Sequence, residues 1–146
     1  MSKVSFYTHI SQPEAFIEQL LLKLHRMGKK VLLWTAHQAD CQFYDKYLWE
    51  HTPSEFLPHE ILPNLQTFPS DTPIVLSFGE QLPNLPSDIV ILNLSQQTWH
   101  NISPQPERVL ELVGKQEPEL AAARERFKSY REHGFEIEHF NMSAKF

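Results

Sequence analysis

Three cations and an aromatic ring share one short stretch: Arg124, Phe127, Lys128 and Arg131, within Glu119-Leu-Ala-Ala-Ala-Arg-Glu-Arg-Phe-Lys-Ser-Tyr-Arg-Glu-His-Gly-Phe135. Wound at about 3.6 residues per turn, Arg124, Lys128 and Arg131 fall on one side of a helix. Ala123, Phe127 and Tyr130 fall on an adjoining stripe, with Phe127 at the seam between the basic and apolar faces. Gly134 follows the last turn, where a left-handed residue commonly ends a helix. The chemistry this pattern suits is recognition. An arginine holds a carboxylate in a two-pronged fork, and an apolar residue next to that carboxylate fills the space beside Phe127. The ligand implied is a short acidic peptide ending in an apolar residue. Charge alone does not establish it, because cations in the C-terminal half of a helix are also favoured by the helix dipole and usually face solvent.

Bond-making chemistry finds no support. The first strand-to-helix turn, Tyr7-Thr-His-Ile-Ser-Gln-Pro13, has no glycine, so backbone amides there cannot close on a phosphate as in a G-x-G-x-x-G or Walker A loop. No G-x-S-x-G elbow is present. Cys41, the single cysteine, falls inside a predicted helix, where nothing lowers its pKa. His37 and Cys41 stand four residues apart, and His51 and His59 flank a proline-rich loop. That spacing matches no two-ligand metal motif. Asp40 and Asp45 read as solvated helix faces. The expectation is therefore no catalytic site, no metal and no cofactor.

A second surface stands out in Leu48-Trp-Glu-His-Thr-Pro-Ser-Glu-Phe-Leu-Pro-His59, where Trp49, Phe56, Leu57 and Pro58 follow a helix end in a stretch without a clear period. These residues either tuck under the loop as a small satellite core or form an exposed apolar patch that docks a partner.

The elements that must position both features follow from periodicity. Val4–Thr8 has strand composition. Ser11-Gln-Pro-Glu14 matches the S-x-x-E capping box, and the helix after it spaces Phe16, Ile17, Leu20, Leu21, Leu24 and Met27 for burial, with Gly28 closing it. Lys30–Trp34 is a nearly continuous apolar run, as expected of a buried parallel strand. Thr35-Ala-His-Gln38 offers a second capping box for a helix to about Trp49 that buries Ala39, Phe43 and Tyr47 or Leu48. Residues 50–72 read as an ordered loop with one short strand. Pro73–Phe78 and Asp88–Leu94 are further buried strands, Gln96–Ile102 a short helix, and Arg108–Val113 another strand. Phe135–Phe140 alternates as a one-sided edge strand does. The β-α-β-α opening implies a parallel sheet. The fold class expected is a three-layer α/β domain over residues 1–146, with a mostly parallel sheet, helices on both faces and a nucleotide-binding-like topology that lacks the glycine-rich loop.

At 146 residues with 41% hydrophobic residues, the chain is the usual size for one domain. No apolar run approaches the roughly 20 residues that span a bilayer, and the start lacks a signal-peptide core. With one cysteine, a reducing, cytoplasmic setting is the default. The net charge of −5 opposes nonspecific coating of nucleic acid, which rests on neutralising phosphates. A competing function, a small enzyme or sensor that binds an anionic ligand at the basic helix, is opposed by the missing glycine loop.

Two motifs carry a family resemblance. Arg124-Glu-Arg-Phe-Lys-Ser-Tyr-Arg131 followed by Gly134-Phe135 resembles the C-terminal signature of the chi subunit of bacterial DNA polymerase III. Leu48-Trp49, Pro53 and Phe56-Leu-Pro-His59 are similar to that family's central L-W…P…S-F-x-P-H motif, and Val4-Ser-Phe-Tyr7 and Gly28-Lys-Lys-Val-Leu32 match in kind and place. Residues from about Ile61 to Pro106 match in strand pattern alone. The resemblance implies a non-catalytic adaptor at the replication fork, in contact with DNA only indirectly. It joins the clamp loader through the psi subunit and grips the acidic, Phe-terminated tail of single-stranded DNA-binding protein. By position, Arg124, Phe127, Lys128 and Arg131 would form the tail site, with Gly134 at its edge. Trp49, Phe56, Leu57 and Pro58 would face psi, on a surface some chi proteins share with a repair helicase. The chain departs from the family at Leu120, where a further basic residue is frequent, and at Phe127, where tyrosine is common. Both departures point to a weaker grip.

Overall fold

The computed structural model describes residues 3–51, 58–62, 68, 72–79, 85–99 and 106–142. In chain order these form β1 (Lys3–Ile10), α1 (Pro13–Arg26), β2 (Lys30–Thr35), α2 (Gln38–His51), β3 (His59–Ile61), β4 (Ile74–Phe78), β5 (Ile89–Asn93), β6 (Arg108–Gly114), α3 (Glu117–Glu132) and β7 (Glu136–Asn141). The seven strands make one sheet in the order β3-β4-β2-β5-β6-β1-β7. Every pairing is parallel. This is the three-layer α/β architecture expected from the alternation of apolar runs and amphipathic helices.

Side chains alternate across each strand, and the two faces of β2 show it. Val31 and Leu33 join Ile17, Leu21 and Leu24 of α1 and Cys41 and Leu48 of α2 in one core. Leu32 and Trp34 join Val4, Phe6, Ala123 and Tyr130 in the other, beneath α3. So α1 and α2 cover one face of the sheet, and α3 lies on the opposite face. Strands β2, β4 and β5, buried on both sides, carry near-continuous apolar runs. β7 is an edge strand paired to β1 alone among the described strands, and its burial is correspondingly shallow.

Several local expectations are corrected. Ser11 does not cap α1. The strand continues to Ile10, Pro13 takes the first helical turn, and the N-cap is Gln12 with no side-chain bond. Thr35 also fails as a cap because β2 includes it. Its hydroxyl donates to the His37 carbonyl at 3.0 Å and meets Cys41 Sγ at 3.3 Å. Met27 is 57% exposed, since it is the C-cap of α1 rather than part of its stripe. On α2 the buried residues are Cys41 and Leu48, with Tyr44 half-buried, whereas Ala39 and Phe43 are exposed. The helix carries apolar residues on more than one side, so periodicity alone left its rotation open. Residues 96–99 are not helical. Asn93 Oδ1 instead accepts from both the backbone N–H and the hydroxyl of Ser95, at 3.1 and 2.7 Å, and its amide nitrogen donates to the Gln97 carbonyl at 2.7 Å. Side-chain bonds of this kind compete with a helical turn.

Candidate functional site

α3 is fixed to the sheet by its buried residues Ala123, Arg126 and Tyr130. Arg124, Phe127 and Arg131 each follow one of these anchors by one position and are therefore turned about 100° from them. That rotation brings them to the flank of the helix that overlooks β1 and β7. There they border a cavity of about 450 Å³, within the size range of small ligand sites. Its apolar wall comes from Phe6 of β1 and Leu120, Ala123 and Phe127 of α3; its charged rim is Arg124, Lys128 and Arg131; and Thr8, His9 and His139 close the sheet side.

The aromatic wall is well braced. The Phe6 and Phe127 rings stand 5.6 Å apart, Phe6 packs edge-on to Tyr130 at 6.1 Å, and the Arg131 guanidinium lies over the Phe127 ring at 5.9 Å. The rim cations are only loosely engaged. Arg124 bridges Glu117 at 3.0 Å and Lys128 meets Glu125 at 3.5 Å, with both cationic side chains well over half exposed. Exposed pairs of this kind contribute about 0–1 kcal/mol, so a ligand carboxylate can replace the glutamates at little cost. The geometry thus offers an apolar recess with movable positive charges at its mouth.

The structure brings Arg124, Phe127, Lys128 and Arg131 to one cavity, as the helical spacing predicted. Gly134 does not line it. With φ near +79° it ends the helix in the left-handed conformation, and a Cβ there would meet nothing within 4 Å. Leu120 forms part of the apolar wall. Sequence reasoning missed Phe6, Thr8, His9 and His139. They belong to two strands 130 residues apart whose adjacency needs the sheet order, although His9, at φ 60°, sits in a conformation that costs a non-glycine residue about 1–2 kcal/mol.

Directly beneath, Arg126 is as buried as Arg124 is exposed. Its Nε donates to Glu111 Oε1 at 2.9 Å and its terminal nitrogen to Gln96 Oε1 at 3.0 Å. Glu111, with no solvent exposure, also accepts from Tyr130 Oη and Asn93 Nδ2, each at 2.8 Å. The Tyr130 oxygen in turn accepts from the Trp99 backbone N–H at 3.0 Å. Burial pushes the Glu111 carboxyl above its ordinary value, while Arg126 and the hydrogen bonds pull against it. Burial likewise raises Tyr130, reinforced by the Glu111 charge. This network pins α3 to β5 and β6 and so sets the rotation that presents the site.

The crevice at the carboxyl ends of the strands, where folds of this type bind nucleotides, is smaller, about 260 Å³, and its charged residues are Asp40 and Glu119. Glu119 Oε2 accepts from the Gly114 N–H at 2.8 Å. A phosphate entering there would meet like charge.

Of the second surface, Trp49 is 54% exposed at the end of α2, with its ring 4.3 Å from that of His59. His59 is buried and its Nε2 lies 3.3 Å from the Asp45 carbonyl oxygen. Pro58 is half-buried. Phe56 and Leu57 lie outside the described residues. Among the described residues no group of histidine, cysteine and carboxylate side chains is arranged to hold a metal. No helix of the described residues is long and apolar enough to cross a membrane.

A family profile described as "DNA polymerase III chi subunit, HolC" matches residues 1–138. The chain belongs to the DNA polymerase III chi subunit family. It is 32% identical over 124 residues to the DNA polymerase III subunit chi of Haemophilus influenzae, covering 84% of this chain and 83% of that one. It is 32% identical over 142 residues to the subunit of the same name from Pseudomonas aeruginosa, covering 94% and 95%. Membership in the chi family places the chain in DNA replication as a subunit of a polymerase, in association with other subunits of that assembly.

Proposed function

We propose that this chi-family chain is a non-catalytic adaptor that grips the acidic C-terminal tail of single-stranded DNA-binding protein with the α3 cavity and joins the clamp loader through a psi subunit. The observation that carries the reading is the cavity itself: an apolar recess bounded by Phe6, Leu120 and Phe127 under a rim of Arg124, Lys128 and Arg131. A peptide ending in phenylalanine supplies both complements, a ring for the recess and carboxylates for the rim. Salt screens the rim contacts, and a weak grip suffices where many tails are displayed together, because the second contact is governed by effective concentration. The psi-facing surface in this reading is that around Trp49 and Pro58, and Phe56 and Leu57, outside the described residues, are assigned to it by the resemblance alone; a repair helicase is a second candidate for the same face.

The test is a titration of the full chain with an N-acetylated acidic peptide ending in phenylalanine, and with the same peptide lacking that residue. Loss of the ring should weaken binding more than any single rim substitution does. Arg124→Ala or Lys128→Ala should weaken it about three- to tenfold at low salt, the range of one charge-assisted contact partly screened by solvent. Equal affinity of wild type and both variants would remove the basis of the proposal.

A further inference from the structure

The sheet side of the cavity carries a hydrogen-bonded chain that the rim cations do not explain. Thr8 Oγ1 lies 2.7 Å from His139 Nε2 and 2.9 Å from His9 Nδ1. Thr8 is 7% exposed, and all three residues line the cavity. His9 reaches its place with φ at 60°, a backbone conformation that persists in non-glycine residues where the surroundings impose it. We infer that His9, Thr8 and His139 form the end of the cavity that receives the ligand's terminal carboxylate, and that binding takes up a proton there.

The chemistry follows from counting donors. A threonine hydroxyl has one hydrogen and two acceptor lone pairs, and a neutral imidazole has one N–H. When Thr8 donates to one ring and accepts from the other, the chain is closed on itself. Protonation of the accepting ring makes both imidazole nitrogens donors to the hydroxyl oxygen, frees the hydroxyl hydrogen to turn into the cavity and adds a positive charge at its wall. Imidazole is the side chain whose charge changes between pH 5 and 8. The other charged groups around the cavity are arginine, lysine and glutamate side chains, types whose ordinary pKa values lie outside that range. From α3 these are Arg124, Lys128 and Arg131, with Glu117 and Glu125 paired to the first two. From β7, Glu138 points to the opposite face of the sheet, where Ser5, Lys3 and Arg108 hold it. An anion in the cavity therefore favours the protonated chain, and by linkage acid favours the anion.

This rests on the tail-binding reading and is tested so that the two fail differently. The full chain is titrated with the N-acetylated acidic peptide ending in phenylalanine at pH 6, 7 and 8 and constant ionic strength. The peptide's carboxylates stay ionised throughout. Wild-type affinity should rise about fivefold from pH 8 to pH 6, as one added favourable charge contact predicts. In the variant His9→Asn/His139→Gln the affinity, whatever its absolute value, should change less than twofold over the same pH range. Asparagine is chosen at residue 9 because it tolerates positive φ, and exposed His139→Gln alone provides a second variant should the first melt early. Histidine ring resonances should show one midpoint moving upward when the peptide is added. Wild-type affinity flat with pH, or a slope equally steep in the variants, would overturn the inference while leaving tail binding standing. No binding at any pH would overturn both.

Discussion

Arg124 and Arg126 are two residues apart on the same helix, and their replacement by alanine should have opposite consequences. Arg126 is buried against Glu111, which has no solvent exposure. Removing the guanidinium leaves a buried carboxylate with Tyr130 and Asn93 as its remaining donors. Breaking a buried pair by deleting one partner costs about 3–5 kcal/mol, a large fraction of the roughly 5–15 kcal/mol that holds a domain together. For 146 residues, an unfolding entropy of about 2.1 cal/mol/K per residue gives about 0.3 kcal/mol/K, so the midpoint should fall by roughly 10–16 °C. Arg124→Ala removes one exposed pair and should shift it by no more than about 3 °C. The loss in Arg126→Ala should also depend on pH. Burial already raises the Glu111 carboxyl and Arg126 opposes that rise, so the variant's carboxyl lies higher still. A folded-state pKa above the unfolded one means the folded protein binds the proton more tightly, and stability falls as pH rises between the two values. Acidifying from pH 7.5 toward pH 5 should therefore recover part of the lost stability. Thermal melts followed by circular dichroism at several pH values test this. An Arg126→Ala midpoint within about 3 °C of wild type at neutral pH would refute the reasoning, because the pair would then contribute no more than a surface bridge.

Three further outcomes are expected. Phe127→Ala should weaken wild-type peptide binding about tenfold yet leave the affinity of the peptide lacking its terminal phenylalanine almost unchanged, since the two deletions remove opposite sides of one apolar contact; additive losses by calorimetry would count against the recess as the ring's seat. Trp49→Ala should diminish co-purification with a psi partner while the midpoint shifts by less than about 4 °C, because an indole more than half exposed contributes little to the core; undiminished capture would remove Trp49 from that interface. Glu138 is held below its ordinary value by the Ser5 hydroxyl first and then by Lys3 and Arg108. Its contribution to stability is thus present above the unfolded carboxyl value of about 4.3 and lost as pH falls through the folded one. Ser5→Ala should move its midpoint upward in a carboxyl-resolved NMR titration, and an unmoved midpoint would show that the hydroxyl is not its main support.

Sequence by itself determined most of the elements, though not the helix expected at Gln96–Ile102, and one face of the site. Apolar runs such as Lys30–Thr35 can satisfy both surfaces of a parallel strand only when helices cover the sheet, so the α/β class follows from pattern. The spacing of Arg124, Lys128 and Arg131 fixes their common side for any α-helix, because about 100° per residue is a property of the backbone. What the sequence left undecided was rotation and adjacency. α2 turned Cys41, Tyr44 and Leu48 inward instead of Ala39 and Phe43, because more than one of its sides is apolar enough to be buried. Arg126 was indistinguishable in type from its exposed neighbours until Glu111 was seen beneath it. Strand order placed β7 beside β1, which brought His139 within 2.7 Å of Thr8 across 131 positions of chain. Such contacts are set by which strands pair, and pairing is a global minimum over the whole sheet rather than a property of either segment. The cationic face was therefore legible in the helix, while the cavity it guards exists only because tertiary packing set two distant strands under that helix.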